Sequence, residues 1–225
     1  MEITGLDLKE VEALILELGE PRYRARQLLD WVYKKGTDAF GEMSNLPLSL
    51  QRSLQEQGWR VSPLAVAGAR EARDGTKKYL FRLPDGFCVE AVYIPEVKRK
   101  TVCFSTQVGC AVGCVFCATG QQGFKRNLMV GEIVDQVRKI GQDRKIRISH
   151  AVAMGQGEPL ANYERTLKAI RILNADYGLK MAARHLTIST SGIVPAIYRL
   201  ATEELQINLA LSLHATEDQL RSRLI

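Results

Sequence analysis

The sequence predicts an α/β protein in which a small α+β domain, residues 1–95, precedes a partial (β/α) barrel, residues 96–225. Two observations support this prediction. Before residue 95 the helix signals come first and a strand hairpin follows. After it, strands and helices alternate four times, as in parallel sheets with crossover helices. Because four units are fewer than a full barrel and the last predicted helix reaches Ile225, we expect the chain to be a truncated piece of a longer protein.

The first domain is predicted to contain three helices and a hairpin. Asp7 and Glu10 have the spacing of a capping box at the start of a helix that Gly19 ends. The remaining elements are helices from 21 to 36 and from 47 to 58, and strands 77–83 and 87–94, which flank the turn Pro84-Asp85-Gly86.

The second domain is predicted to consist of strands at 101–108, 147–154, 185–190 and 206–213, and helices at 131–141, 163–174, 194–202 and from 217 onward. In folds of this type the C-terminal ends of the strands carry the chemistry. Functional residues are therefore expected at these ends.

Charge and hydropathy limit the possible classes of protein. Residues 96–150 hold ten Lys and Arg against four Asp and Glu, which equals the whole formal net charge of +6. A basic excess of this kind can bind a polyanion such as RNA, and a solvated basic surface is the alternative. No apolar run is long enough to cross a bilayer, and the acidic, amphipathic N-terminus is unlike a signal peptide. We therefore expect a cytoplasmic protein without membrane contact.

Cys110, Cys114 and Cys117 follow the first barrel strand with spacings of three residues and then two. A loop with this spacing can place three thiolates on three corners of an iron–sulfur cubane. S-adenosylmethionine could then chelate the fourth iron and be cleaved reductively to a radical. The alternatives are a zinc site completed by Cys103, Cys88 or a histidine, and three cysteines packed as small core residues.

Longer motifs resemble the radical S-adenosylmethionine RNA methyltransferases of the RlmN/Cfr family. The resemblance covers essentially the whole chain, and it is most specific in six segments: YRARQL (23–28), TVCFSTQVGC (101–110), CATGQQGFKRNL (117–128), MGQGEPLAN (154–162), TISTSG (187–192) and LSLHA (211–215). It implies a [4Fe-4S] cluster on Cys110, Cys114 and Cys117, and S-adenosyl-L-methionine as the second cofactor.

The resemblance also implies how this chain would hold S-adenosylmethionine. Gly157 and Glu158 would meet the methionine amino group, Ser189 the carboxylate, and Ser212 with His214 the ribose side, and Leu213 between them is a further cofactor-binding candidate. All follow predicted strands, so they should share one rim of the barrel. Each has a structural alternative, since Glu158 could begin a helix, the serines could cap turns, and His214 could lie at a helix entry.

The reaction implied by the family is methylation of adenosine at C2 in 23S rRNA and in tRNA. In the family a downstream cysteine carries the methyl group, and a second cysteine resolves the protein–RNA adduct and leaves a disulfide. By position the resolving residue is Cys103. Glu90 matches a family base, although on an alternating strand it could face solvent. No cysteine follows Cys117, so we expect this chain alone to bind the cluster without completing methyl transfer.

The implied partners are 23S rRNA and tRNA, together with an electron donor such as flavodoxin or ferredoxin, and the complete protein is expected to be monomeric. Candidate phosphate contacts are Lys98–Lys100, Lys125 with Arg126, and Arg22, Arg24 and Arg26. Three alternatives stay open: C8 methylation of adenosine as in Cfr, a non-enzymatic zinc-containing RNA-binding module, and an inert fragment of the enzyme.

Overall fold

The structure, a computed structural model, describes residues 1–225. It contains the helices α1 (Leu8–Glu17), α2 (Tyr23–Asp30), α3 (Leu48–Glu56), α4 (Ala118–Gln121), α5 (Val130–Arg144), α6 (Tyr163–Asn174), α7 (Val194–Ala201) and α8 (Asp218–Leu224). The strands are β1 (Ala65–Glu71), β2 (Lys77–Arg82), β3 (Cys88–Pro95), β4 (Lys100–Cys103), β5 (Gln107–Gly109), β6 (Phe124–Asn127), β7 (His150–Ala153), β8 (Leu186–Thr190) and β9 (Asn208–Leu211).

Seven strands form one sheet in the order β1-β2-β3-β4-β7-β8-β9, and β5 pairs with β6 separately. The strands β4, β7, β8 and β9 are parallel, and β1 to β4 are antiparallel neighbours. The predicted α/β class is confirmed. The sheet continues across residue 95, because Ile94 of β3 pairs with Thr101 of β4. The domain boundary at residue 95 therefore stays a prediction, and the residues on its two sides belong to one continuous sheet.

Local signals predicted most helices correctly. Asp7 accepts the backbone N–H of Glu10 at 2.9 Å, and Glu10 accepts that of Asp7 at 2.8 Å, so the capping box is confirmed. The helix predicted from 21 to 36 is α2 followed by a π-helical turn, Trp31–Lys35, which ends at Gly36 with φ of +76°. Glycine suits this left-handed position because it has no Cβ to clash.

Two predictions about strands were wrong. The predicted strand 101–108 is two strands, because the chain leaves the sheet after β4, where Thr106 and Gln107 donate their backbone N–H groups to the carbonyl of Gln156. Gln107 then starts β5, which pairs with the unpredicted β6. Strand β1 was also missed; most of its residues are exposed, so it lacks the alternation that marks a half-buried strand.

The parallel part of the sheet has one buried and one open face. Along β4, β7 and β8, buried residues alternate with partly exposed ones. Cys103, Val152 and Thr187 are partners in register and lie in one row across the open face. The opposite face belongs to the hydrophobic core, which also includes α5 and α6. The open face is therefore the side where a reaction could take place.

The N-terminal segment packs closely on the barrel helices. A Cβ on Gly5 would lie 2.9 Å from the backbone nitrogen of Gly131 at the start of α5, so the two backbones touch. Arg138 of α5 bonds to the Asp38 carboxylate and is itself almost fully buried. No helix is both long enough and apolar enough to cross a membrane.

Candidate active site

The three predicted cluster ligands lie on one loop between β5 and α4. Cys110 follows β5, and its N–H donates to the carbonyl of Gly123 at 3.3 Å. Cys117 precedes α4, and its N–H donates to the carbonyl of Cys114 at 3.0 Å. Gly113 holds a left-handed φ of +79°, which lets the loop reverse between the first two cysteines. All three thiols are free and partly exposed.

The three thiols lie close enough to influence one another. The pKa of Cys114 is raised, mainly because burial disfavours its thiolate, and further by the negative charges of Cys110, Cys117 and Glu158. No three His, Cys, Asp or Glu side chains are arranged to hold one metal ion. A structural zinc ion takes four protein ligands that converge on one point, whereas in a cubane each cysteine binds a different iron and three cysteines leave one iron open. The loop therefore fits a cluster better than a single zinc ion.

Gly157 occupies a position that no other residue could fill without strain. Its φ is +97°, and a Cβ there would lie 2.4 Å from the Cβ of Gln107 and 2.8 Å from the Gln107 backbone nitrogen. The loop after β7 is thereby held against the start of β5. The loop that carries Glu158 and the strand that leads to Cys110 form one packed unit.

Glu158 has a structural role in addition to its predicted one. Its side chain is 4% exposed and caps the 3-10 helix Pro159–Asn162, accepting the N–H of Leu160 at 2.9 Å. The other carboxylate oxygen accepts the N–H of Ser191, beyond the end of β8, at 2.7 Å. The carboxylate thus joins the ends of β7 and β8. Each oxygen has a second lone pair, so it can still accept a hydrogen bond from an ammonium group.

Residues from the third and fourth motifs meet at the same rim. The hydroxyls of Ser189 and Ser212 lie 3.2 Å apart, and the Ser212 N–H donates to the carbonyl of Thr190 at 2.8 Å. His214 has a left-handed φ of +60°, and its ring centroid lies 4.7 Å from that of Phe116. Since Phe116 lies between Cys114 and Cys117, the fourth motif contacts the cysteine loop directly.

Leu213 and His214 border a shallow cavity of about 460 Å³ next to α8. Leu213 is 45% exposed. The structure thus places Glu158 within electrostatic reach of the cysteine loop and His214 in contact with that loop through Phe116. It separately brings Ser189 and Ser212 together. No hydrogen bond joins the two serine hydroxyls to the thiols.

Cys103 and Glu90 lie on the open face of the sheet rather than on the cysteine loop. Cys103 ends β4, and burial raises the pKa of its thiol. Val92, two residues along β3 from Glu90, pairs with Cys103, so all three side chains lie on the same face. The Glu90 carboxylate forms an ion pair with Lys78 at 2.8 Å and is half-exposed. Glu90 therefore faces solvent in part, as the alternative interpretation predicted, and is also held by Lys78.

Several cations that were predicted to bind phosphate are neutralised within the chain. Arg22, Arg24 and Arg26 pair with Glu12, Glu20 and Asp176 at 3.7, 3.8 and 3.2 Å. Arg126 bonds to Glu132 at 2.8 Å and to Asp85 at 2.5 Å. These contacts lower the positive potential that the four arginines offer to a polyanion.

Sequence reasoning missed the buried polar residues that hold the site. Gln107, 1% exposed, accepts the N–H of Glu158 at 2.8 Å and donates to the Asn127 side chain at 2.7 Å. Asn162 donates to the carbonyls of Thr106 and Leu128, each at 2.9 Å. The available signal was a polar run, Ser-Thr-Gln, inside a segment that otherwise reads as a buried strand.

The parallel strands and the three-cysteine loop at their C-terminal ends are the arrangement expected for a radical S-adenosylmethionine fold. The model of the Radical SAM superfamily matches residues 104–224, which is more than half of the chain, and so the chain belongs to that superfamily. The model of the ribosomal RNA large subunit methyltransferase N-terminal domain matches residues 1–58. The N-terminal match agrees with the resemblance to RNA methyltransferases, and the superfamily match confirms its radical SAM part.

Individual relatives agree with these matches. The dual-specificity RNA methyltransferase RlmN of Geobacter sulfurreducens is 46% identical over 225 residues, and the probable enzyme of that name from Symbiobacterium thermophilum is 48% identical over 227. The matches cover 100% and 99% of this chain but 61% of each relative, so the chain spans about three fifths of their length.

A solved structure also matches. The crystal structure of a radical SAM methyltransferase from Sphaerobacter thermophilus matches with a TM-score of 0.95 and 44% identity, over 100% of this chain and 67% of that one.

Proposed function

We propose that the whole protein to which this chain belongs is a dual-specificity RNA methyltransferase that methylates C2 of adenosine in 23S rRNA and in tRNA. The observation that carries the proposal is the three-cysteine loop, which contacts the fourth motif through Phe116 and His214 and lies within electrostatic reach of Glu158. The relatives named RlmN support the RNA target.

In this proposal Cys110, Cys114 and Cys117 hold a [4Fe-4S] cluster, which when bound supplies the electron that cleaves S-adenosylmethionine to a radical. The chain's own groups position the cofactor. Glu158, fixed by two backbone N–H groups, keeps an acceptor for the methionine ammonium at the cysteine loop. The paired hydroxyls of Ser189 and Ser212 can donate to its carboxylate and to the ribose.

The remaining roles concern the open face. His214 and Leu213 would border the ribose, and Cys103 would act as the resolving thiol. Burial keeps the pKa of Cys103 above its usual range, so the group stays a neutral thiol until a reaction step removes its proton. Glu90 would be held in place by Lys78. The proposed electron donor is a flavodoxin or ferredoxin, and the proposed complete protein is a monomer.

The cluster is tested by anaerobic purification with iron and sulfide analysis and a visible spectrum before and after S-adenosylmethionine is added. We expect about four irons per chain and a spectral change on adding S-adenosylmethionine. Cys114→Ser should lose most of the iron. Cys88→Ser is the matched control, because Cys88 belongs to strand β3 and not to the cysteine loop, and this variant should keep the iron. A colourless protein that binds zinc and no iron would refute the proposal.

The regiochemistry is tested on the complete protein with 23S rRNA fragments and tRNA as substrates. We expect mass spectrometry of digested RNA to find 2-methyladenosine in both. A product methylated at C8 would instead establish a Cfr-type activity, and the absence of any methylated adenosine alongside an intact cluster would refute the RNA target.

A further inference from the structure

A basic cleft lies where the N-terminal helices meet the barrel, away from the cysteine loop. Its volume is about 710 Å³. Three segments line it: the π-helical turn and Gly36, the end of α5 with the loop to β7, and the loop after α6. None of the predicted phosphate contacts of the sequence analysis lines this cleft.

Positive charge in this cleft is barely compensated. Six cations line it against one acid, Asp176, which already pairs with Arg26: Lys34, Lys35, Arg138, Lys145, Arg147 and Lys180. Lys34 pairs with Asp30, and Arg138 with Asp135 and Asp38. The other four have no acidic partner. Such a group of unpaired cations around a concave surface attracts phosphate.

Two of the four cations without an acidic partner have a strained backbone. Lys145 and Lys180 both have a left-handed φ of +52°. Such a backbone conformation normally belongs to glycine, because a Cβ is strained there; Lys145 adopts it at the C-terminal cap of α5, and Lys180 adopts it in the loop after α6. The chain has three non-glycine residues with positive φ, and the third is His214 in the candidate active site. Strain of this kind clusters at functional sites.

We propose that this cleft binds backbone phosphates of the RNA substrate at a distance from the methylated base, an inference that rests on the proposed function. Arg147 and Ile148 precede β7 and Glu158 follows it, so the cleft and the active site lie at opposite ends of the strand. Four strand residues span about 13 Å. An RNA that reaches both places must therefore extend about four or more nucleotides beyond the target base.

RNA length and salt dependence provide the test. The complete protein is compared with the double variant Lys145→Gln/Lys180→Gln, using fluorescence anisotropy with a tRNA and with a short single-stranded RNA that ends about three nucleotides on either side of the target adenosine and so is too short to reach the cleft. For the tRNA we expect about tenfold weaker binding at 0.15 M salt and a salt slope reduced by about two. Binding of the short RNA should not change.

Two controls separate charge and location from folding. Lys9→Gln/Arg73→Gln removes the same charge from exposed, unpaired positions outside the cleft and should leave tRNA binding unchanged. Lys145→Gly/Lys180→Gly removes the charge and relieves the strain. It should therefore fold at least as well as the unaltered protein and still bind tRNA weakly.

Four results would overturn the inference. The first is an unchanged tRNA affinity and salt slope in the cleft variants, and the second is an equal loss in the Lys9/Arg73 control. The third is an equal loss for the short RNA. The fourth is that inorganic triphosphate, added as a competitor in the anisotropy assay, binds the cleft without displacing the tRNA. Iron content and the S-adenosylmethionine spectrum are measured on each variant. If these are intact while the cleft variants bind tRNA normally, only the cleft proposal fails. If the unaltered protein binds no RNA, the proposed function fails as well.

Discussion

Replacing Gly157 by alanine tests whether close packing between two loops builds the active-site rim. The new Cβ would lie 2.4 Å from the Cβ of Gln107, 2.6 Å from its Cγ and 2.8 Å from its backbone nitrogen, at a φ of +97°. The strained backbone costs about 1–2 kcal/mol, and overpacking costs about 1–3 kcal/mol. We therefore expect the free energy of unfolding to fall by about 2–5 kcal/mol.

Urea denaturation measures this loss from the shift in midpoint at a common slope. The matched control is Gly68→Ala in β1, where a Cβ has no atom within 4 Å and the φ is ordinary, so stability should change by no more than about 0.5 kcal/mol. Displacement of Gln107 would also release the N–H of Glu158, so iron retention should fall in Gly157→Ala only. Equal stability and equal iron content in the two variants would refute the packing argument.

Three further predictions concern buried and titratable groups. Arg138→Met leaves Asp135, which is 0% exposed, without its cation, so the free energy of unfolding should fall by about 3–5 kcal/mol. In urea denaturation the double variant Arg138→Met/Asp135→Leu should lose less stability than Arg138→Met. A larger loss in the double variant would contradict the argument. Burial, and then the neighbouring His185, lower the pKa of His150 below 6.5, so as pH falls the unfolded chain takes up the proton first. The stability that the neutral His150 ring contributes should be present above pH 6.5 and should decrease as the pH falls below it. Thermal melts across this range should show the decrease, and His150→Gln should make the melting temperature less dependent on pH. A loss of stability confined to high pH would disprove the role of His150. Burial raises the pKa of Cys103, so the rate at which iodoacetamide alkylates this thiol in the folded protein should still increase above pH 9.0, where the rate in the unfolded chain levels off. Identical dependence of the two rates on pH would show that the thiol is not shielded.

Most helices could be predicted because their signals are local. The capping box at Asp7 and Glu10 lies within one turn, and the apolar spacing of α6 falls within its own twelve residues. Strand β1 could not be predicted, because pairing with β2 defines it and burial does not. The break between β4 and β5 depends on a carbonyl of Gln156, about fifty residues away in sequence.

The candidate site divides in the same way. Sequence motifs predicted which residues follow each strand, since the parallel order of strands places such ends on one rim. They could not predict partners that only tertiary contact creates, such as Phe116 for His214. The prediction of an RNA-binding surface shows the same limit. Arg22 and Arg26 look free in the sequence, but acids elsewhere in the fold neutralise them, whereas Lys145 and Lys180 stay unpaired.

Buried polar residues explain how an exposed cysteine loop is held to a rigid sheet. The Ser105 hydroxyl donates to the carbonyl of Glu90 at 2.6 Å and accepts the N–H of Gln156 at 2.9 Å. The Ser105 backbone N–H donates to the side-chain oxygen of Gln136 at 2.8 Å, and the Ser105 carbonyl accepts from the Gln136 amide nitrogen at 3.0 Å. Gln107 continues the connection to Glu158. An apolar residue of the same size would fill the space but leave these buried backbone groups unpaired, at about 1–3 kcal/mol each. The polar run in an otherwise apolar strand is therefore required where β4 leaves the sheet and directs the chain toward the cysteines.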